Sequence, residues 1–383
     1  MEVFSDDFFP LIVGGLEFCL YFCRDKRTKE MQNARLIGLC SVQHFLVDGL
    51  CVCCLFLLAR AYGDCLAAYG DRLGMEAVLM YSVLAFVSQP LTGMMADGLK
   101  ARHWLLVVSS LLLTLAVAVA SLIALLMTEA LTVMEGAVGE WLLMLVAVLL
   151  GAGNSLFHVW GGKQTVVCMG NDMRALGVFV STGALGLSVG FVCCSWVLLY
   201  ALLLAVVALA IVYLRSEECG VWSEECGVWS EECEVWSEEC GVRSEVAPRS
   251  LSPLSAWTAV VLLMLFVAYR SFTGEVFSRG ITKSQTLILV IGAVSMLGKM
   301  AGGWIAHCVG ILLSMAVVLA GVGLCLLFRG DSVAVLLMGI FLMNCTMPVT
   351  LFLANDVLPG REGLAFGLLA AALIPGYLLA VYL

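Results

Sequence analysis

Runs of about twenty residues without a single acid or base recur along this chain, and they limit its fold more than any other feature. Ala77 to Ala96 and Trp104 to Met127 are two of them, parted by the seven residues Asp97 to His103. A helix needs about 20 apolar residues to cross a bilayer. A segment in hydrocarbon must also satisfy its own backbone N–H and C=O groups, so these runs read as membrane helices. Composition agrees: 62% of the 383 residues are hydrophobic and 13% are charged, about half the charged share of an ordinary soluble domain.

From Arg35 onward eleven crossings can be counted. They lie near 36–59, 76–96, 104–127 and 141–162, with two more inside 173–214 joined by a tight turn near Cys194. The rest lie near 254–274, 285–305, 310–328, 333–354 and 363–383. Basic residues gather in cytoplasmic loops, which places Arg24, Lys26, Arg27, Lys29 and Arg35, then Lys100 with Arg102, then Lys163 with Arg174, on that side. Glu129, Glu135 and Glu140 stand on a base-free loop expected outside. The stretch Phe8 to Cys23 is sixteen residues with Glu17 among them, short for a crossing. It reads as an interfacial helix, with an extra crossing from outside to inside as the alternative that would supply a twelfth helix. Its basic cluster follows the apolar stretch, which excludes a secretory signal.

The net charge of −9 carries no message about a solute. Residues 216–245 hold ten glutamates and one arginine, which equals the charge of the whole chain. There the sequence repeats SEECGVW with a period of seven. Cysteine and tryptophan alternate at three and four residues, as on a coiled-coil seam, but Gly220, Gly227 and Gly241 each cost a helix about 1 kcal/mol. A low-complexity linker is the expectation. Six-residue gaps between the repeat cysteines suit no common zinc pattern, and the other cysteines of the 17 are scattered through apolar runs as small packing residues. No basic tract points to nucleic acid. The expected organisation is an N-terminal segment 1–33, a six-helix bundle 34–214, a cytoplasmic linker 215–253 and a C-terminal bundle 254–383 of about five helices.

The loop between the second and third crossings, GMMADGLKARHW (Gly93 to Trp104), resembles the signature G-x-x-x-D-x-x-x-R of the major facilitator superfamily. Gly93, Asp97 and Arg102 match it loosely, with the arginine one residue late, and Lys100 adds a second cation. A degraded copy, GKMAGGWIAHCVG, runs from 298 to 310 with Lys299 and Gly302; His307 and Cys308 stand where aspartate and arginine would be. The resemblance implies an all-α polytopic membrane protein with two pseudo-symmetric helical bundles and 11–12 transmembrane helices. It also implies a gate at Gly93, Asp97, Lys100, Arg102, Lys299 and Gly302. Asp97 would be drawn to the positive end of the helix that begins near Gly363, so the gate is expected to latch mainly on that side.

In that family helices 1, 4, 7 and 10 line a central cavity. Helix 1 contributes QHFLVDG, with Gln43, and with His44 and Asp48 four apart on one face. Asp48 is near mid-span, where a charge costs at least ~2.5 kcal/mol, so it needs a wet cavity or a partner; a structural cap at a Gly49 kink is the alternative. Helix 4 contributes GAGNSLFHVWGGK, with Asn154 and His158 again four apart. Gly151, Gly153, Phe157, His158 and Arg174, followed by the glycine-rich run Gly177, Gly183, Gly186 and Gly190, look like the fosmidomycin-resistance-type exporters. Val159 stands where that branch has proline, and the G-P pair of the antiporter motif is absent. Helix 7 offers Arg270, which either faces the cavity or snorkels to the interface. Helix 10 offers Asn344 and Thr346 before Pro348, as ligands or as interhelical glue.

The expected function is secondary active transport of a small organic solute by alternating access, with export implied by the branch. A proton gradient is the expected driving force, through Asp48 with His44 and His158 as relay partners. No resident cofactor, metal or enzyme chemistry is expected, since HExxH, GxSxG and paired intrahelical aspartates are absent. The expected partners are a small-molecule substrate and the lipid bilayer, with the chain a monomer in the plasma membrane. The alternative is a membrane sensor or scaffold that kept the fold and lost transport. It is favoured by the eroded second signature, the expanded linker and a count one helix short.

Overall fold

A computed structural model of the chain describes residues 29–65, 70–99, 103–129, 137–218, 252–279, 281, 284–328 and 332–382. These residues form eleven helical rods. The first six are α1 (Lys29–Cys65), α2 (Gly70–Ser82, Val83–Val87 and Gln89–Gly98), α3 (His103–Glu129), α4 (Ala137–Met169), α5 (Met173–Val192) and α6 (Trp196–Glu218). The others are α7 (Pro253–Arg279), α8 (Gln285–Val309), α9 (Ile311–Leu327), α10 (Val333–Val357) and α11 (Glu362–Ala371 and Leu373–Tyr382). Ten are long and apolar enough to cross a membrane, and α9 is a shorter apolar helix of 17 residues. Among the described residues there is no strand, so the chain is an all-α, multi-pass membrane protein. The stretch Phe8–Cys23, the SEECGVW repeat, Lys100 and Arg102 lie outside the described residues.

Taken as α1–α6 and α7–α11, the two groups of helices expected from the sequence meet chiefly where α5 lies on α8 and α2 lies on α11. Lipid is as apolar as leucine, so helices in a bilayer associate through close packing and interhelical hydrogen bonds. Both are present. On α5, Gly186 and Gly190 sit directly against the backbone carbonyls of Phe45 and Gly49 on α1. Thr182 Oγ1 donates to the Ser41 carbonyl at 2.7 Å along the same seam. Ser109 Oγ donates to the Gly153 carbonyl at 2.6 Å between α3 and α4, and Gln164 donates to Tyr213 at 2.7 Å between α4 and α6. Leucines such as Leu204, Leu254 and Leu312 stay exposed on the outer face, as a lipid-facing surface requires.

The interruption in α2 has a local cause. Proline lacks an N–H, and its ring clashes with the carbonyl four residues back. Just before Pro90 the chain makes a π turn, Val83–Val87, of the kind that absorbs such a mismatch at functional sites. Gln89 donates through Nε2 to the Ala85 carbonyl at 2.7 Å, and its side chain is carried to the middle of the bundle.

A methyl group added at Gly186 would collide with the Phe45 carbonyl, whereas one at Gly38 on α1 would meet nothing within 4 Å. Gly186→Ala is therefore expected to cost about 1–3 kcal/mol through overpacking and to lower the melting temperature of the purified protein. Gly38→Ala is expected to leave it unchanged or raise it. Equal melting of the two variants would mean that the α1–α5 seam is not a close-packed joint.

Candidate functional site

Asp48 lies in the middle of the Ala34–Ala61 span and is 5% exposed. Three side chains converge on it. His44, one turn back on α1, places Nε2 3.3 Å from Asp48 Oδ2. Asn154 on α4 donates through Nδ2 to Oδ1 at 2.9 Å. His158, one turn further along α4, places Nε2 3.1 Å from Oδ1, off the line of a well-directed hydrogen bond. The two pairs each span one helical turn, and the packing of α1 on α4 sets pair against pair.

The hydrogen-bond network fixes how protons must be arranged. His44 Nδ1 lies 2.8 Å from the Phe179 carbonyl, which can only accept, while Nε2 faces the Asp48 carboxyl. Both ring nitrogens thus face oxygen. A neutral imidazole has one N–H, so His44 serves one of these oxygens when neutral and both when protonated. The amide of Gln89 donates to the Ala85 carbonyl and lies 3.2 Å from His158 Nδ1. This assigns Nδ1 as the acceptor and puts the His158 proton on Nε2, toward Asp48. The cluster therefore sets two imidazoles, groups able to take up a proton near neutral pH, beside a carboxylate at mid-membrane.

His44, Asp48, His158 and Gln89 line a cavity of about 170 Å³, and Arg270 on α7 and Lys299 on α8 form its opposite wall. Apart from Thr350, the rest of the lining is apolar side chains and glycine from α2, α5, α10 and α11. Helices α3, α6 and α9 take no part. Arg270 is 8% exposed, and its Nη1 has no hydrogen-bond partner. Glu275, one turn beyond it, pairs with Arg279 at 3.9 Å. The donor atoms of His44, Asp48 and His158 lie within 4.8 Å of one another, a spacing that a transition-metal ion accepts. The positive charges of Arg270 and Lys299 on the facing wall oppose a dication there.

Away from the cavity, one end of the bundle is tied across the two groups. Asp97 accepts hydrogen bonds from the Gly363 and Leu364 amides at 2.9 Å each, at the positive N-terminus of α11. Lys163 on α4 donates to Asp97 Oδ1 at 2.6 Å and lies 3.9 Å from Glu362. Gly93 abuts the backbone of Gly363, so α2 and α11 can approach this closely only without a side chain there. On the other side the tie is of a different kind. Asn171, at φ 61° in the α4–α5 turn, donates to the Phe352 carbonyl of α10 at 3.1 Å. The Arg174 guanidinium, paired with Asp172 at 2.6 Å, lies 5.5 Å from the centre of the Trp304 ring. These contacts lie toward the end of α8 that carries His307 and Cys308.

Several residues singled out from the sequence stand elsewhere. Lys299, grouped there with the gate, is on the cavity wall; Gly302, one turn along, packs against the Cys345 carbonyl of α10. Gln43 bonds the Val206 carbonyl of α6 at 3.1 Å. Asn344 and Thr346 turn back onto their own helix, bonding the Ile340 carbonyl at 2.8 Å and the Met343 carbonyl at 2.7 Å. Pro348, inside α10, removes a backbone donor in that stretch. Sequence reasoning missed Gln89 and Thr350 in the cavity and Lys163 in the latch. Gln89 had a signal, as a polar residue in mid-span beside a proline.

No protein-family model and no curated sequence matches the chain. Solved structures do. The fucose:proton symporter FucP of E. coli is 14% identical, with a TM-score of 0.57 over 93% of this chain and 91% of that one. The human organic anion transporter MFSD10 is also 14% identical, with a TM-score of 0.60 over 91% of this chain and 94% of that one. A bacterial homologue of the iron transporter ferroportin, in an outward-facing state, is 12% identical, with a TM-score of 0.52 over 91% and 90%. The chain has the major facilitator superfamily fold.

Asp97→Asn removes the charge from the bonds that hold α11. A loss of about 1–2 kcal/mol shifts a two-state equilibrium by about 5–30-fold, so the latched end should open more often. A cysteine introduced by Thr350→Cys, in a cysteine-depleted background, should then react about fivefold faster or more with a membrane-impermeant maleimide added from that side. Unchanged labelling would remove Asp97 from the gate.

Proposed function

We propose that this protein is a proton-coupled secondary transporter that moves a small organic solute across the plasma membrane by alternating access. One observation carries the reading: a carboxylate at mid-membrane lies against His44 and His158 and opens onto a cavity lined from both helix groups. A buried carboxylate in a lipid-embedded helix is costly, and here it is held by Asn154 and two histidines beside space for a solute. Histidine takes and gives protons near neutral pH. The Asp97–Lys163–Glu362 ties join α2, α4 and α11 at one end of the bundle, an end that the positive-inside rule reads as cytoplasmic, and this supports a gate there. Neighbours of the same fold are described as carriers of a sugar with protons, of organic anions and of iron. That supports transport, while the fold itself does not choose the solute. Export is the direction that the resemblance of helices 4 and 5 implies.

The test is flux in reconstituted vesicles over a panel of solutes, with and without a pH gradient, comparing the parent with Asp48→Asn. A pH gradient should drive accumulation of at least one solute by the parent. In Asp48→Asn the gradient-driven part should fall to the leak of empty vesicles while exchange of the solute persists. Identical, gradient-insensitive behaviour of the two proteins would put the sensor-or-scaffold reading in its place.

A further inference from the structure

We infer that the solute is an organic monoanion with an apolar body, its charged head held between Arg270 and Lys299. This rests on the transporter reading above. Both residues lie inside membrane-spanning stretches, Leu254–Arg279 and Gln285–Val309, and both line the cavity. Among the described residues neither has an acidic group within ion-pair distance, and Arg270 Nη1 is buried without any partner. The nearby acid, Asp48, is already engaged by His44, His158 and Asn154. A charge withdrawn from water and left unpaired is strongly unfavourable, so buried Arg270, with half-buried Lys299 lining the same cavity, calls for an anion.

The charge count sets its valence. With both histidines neutral, Arg270 and Lys299 against Asp48 leave the cavity one charge positive, which a single carboxylate, sulfonate or phosphate monoester head would cancel. Arginine also offers a fork of donors matched to such a head. The remaining wall, including Phe86, Leu187, Met347 and Phe366, suits a hydrocarbon or aromatic body. A cationic solute would meet two like charges, and a neutral polar one would leave both cations unpaired.

Purified protein at neutral pH is titrated with three matched pairs: benzoate and benzamide, phenylacetate and phenylacetamide, octanoate and octanamide. Binding is read by thermal stabilisation, with the unliganded melt of each variant as its folding control. At least one acid should bind about tenfold or more tightly than its amide, a difference of about 1.4 kcal/mol. Lys299→Gln and Arg270→Gln should each remove that preference, and Lys299→Arg should keep most of it. The inference is overturned if amides bind as well as acids, if no acid binds, or if the preference survives both glutamine variants. Gradient-driven, Asp48-dependent flux of a neutral or cationic solute would leave the transporter reading standing and sink this one alone.

Discussion

The placement of one carboxylate in the middle of a bilayer governs the rest of this structure. Asp48 could not remain ionised against hydrocarbon, so its surroundings had to supply what water would. Asn154 gives it a hydrogen bond, His44 sets a ring nitrogen against one oxygen, and His158 sets another against the second. Each of those groups is fixed in turn: His44 by the Phe179 carbonyl, His158 by Gln89, and Gln89 by the carbonyl that the π turn of α2 leaves in reach. Satisfying one charge thus recruits four helices.

Close backbone contact makes that recruitment possible. The α1–α5 seam brings glycine against main-chain carbonyl, so the helix bearing Asp48 and the helix bearing the Phe179 carbonyl sit nearly in backbone contact. The α2–α11 joint uses the same device at Gly93 and adds an ionic tie at Asp97. The first joint lies inside one helix group and the second lies between groups. Glycine also meets main chain at the other contact between the groups, α5 on α8, where Gly177 lies on the Lys299 carbonyl and Gly303 on the Met173 carbonyl, so the ionic tie is what sets the α2–α11 joint apart.

Much of the architecture was legible in the sequence because a charge-free run of twenty residues in a chain this apolar has few alternatives to a membrane helix. The two pairs His44–Asp48 and Asn154–His158 were legible as well, since a spacing of four puts polar groups on one helix face. That the pairs would meet was a matter of packing between helices, which no local spacing states. Lys299 was obscured by its place inside a copied signature, where the glycine one turn on packs against α10 while the lysine points to the cavity. Asn344 and Thr346 looked like lining because they are polar at mid-depth. A helix can absorb such groups by bonding them to its own carbonyls, and here α10 does.

The carboxylate–histidine cluster and the two cavity cations ride on different helices. Asp48, His44, His158 and Gln89 all ride on α1, α2 and α4, whereas Arg270 and Lys299 ride on α7 and α8. Coulombic interaction falls with separation and with every water admitted between charges. Any tilt of one group against the other therefore alters how strongly the carboxylate feels those cations, with no side chain needing a new rotamer. The arrangement has the form of a variable capacitor, in which a displacement between the helices would be read out as proton affinity.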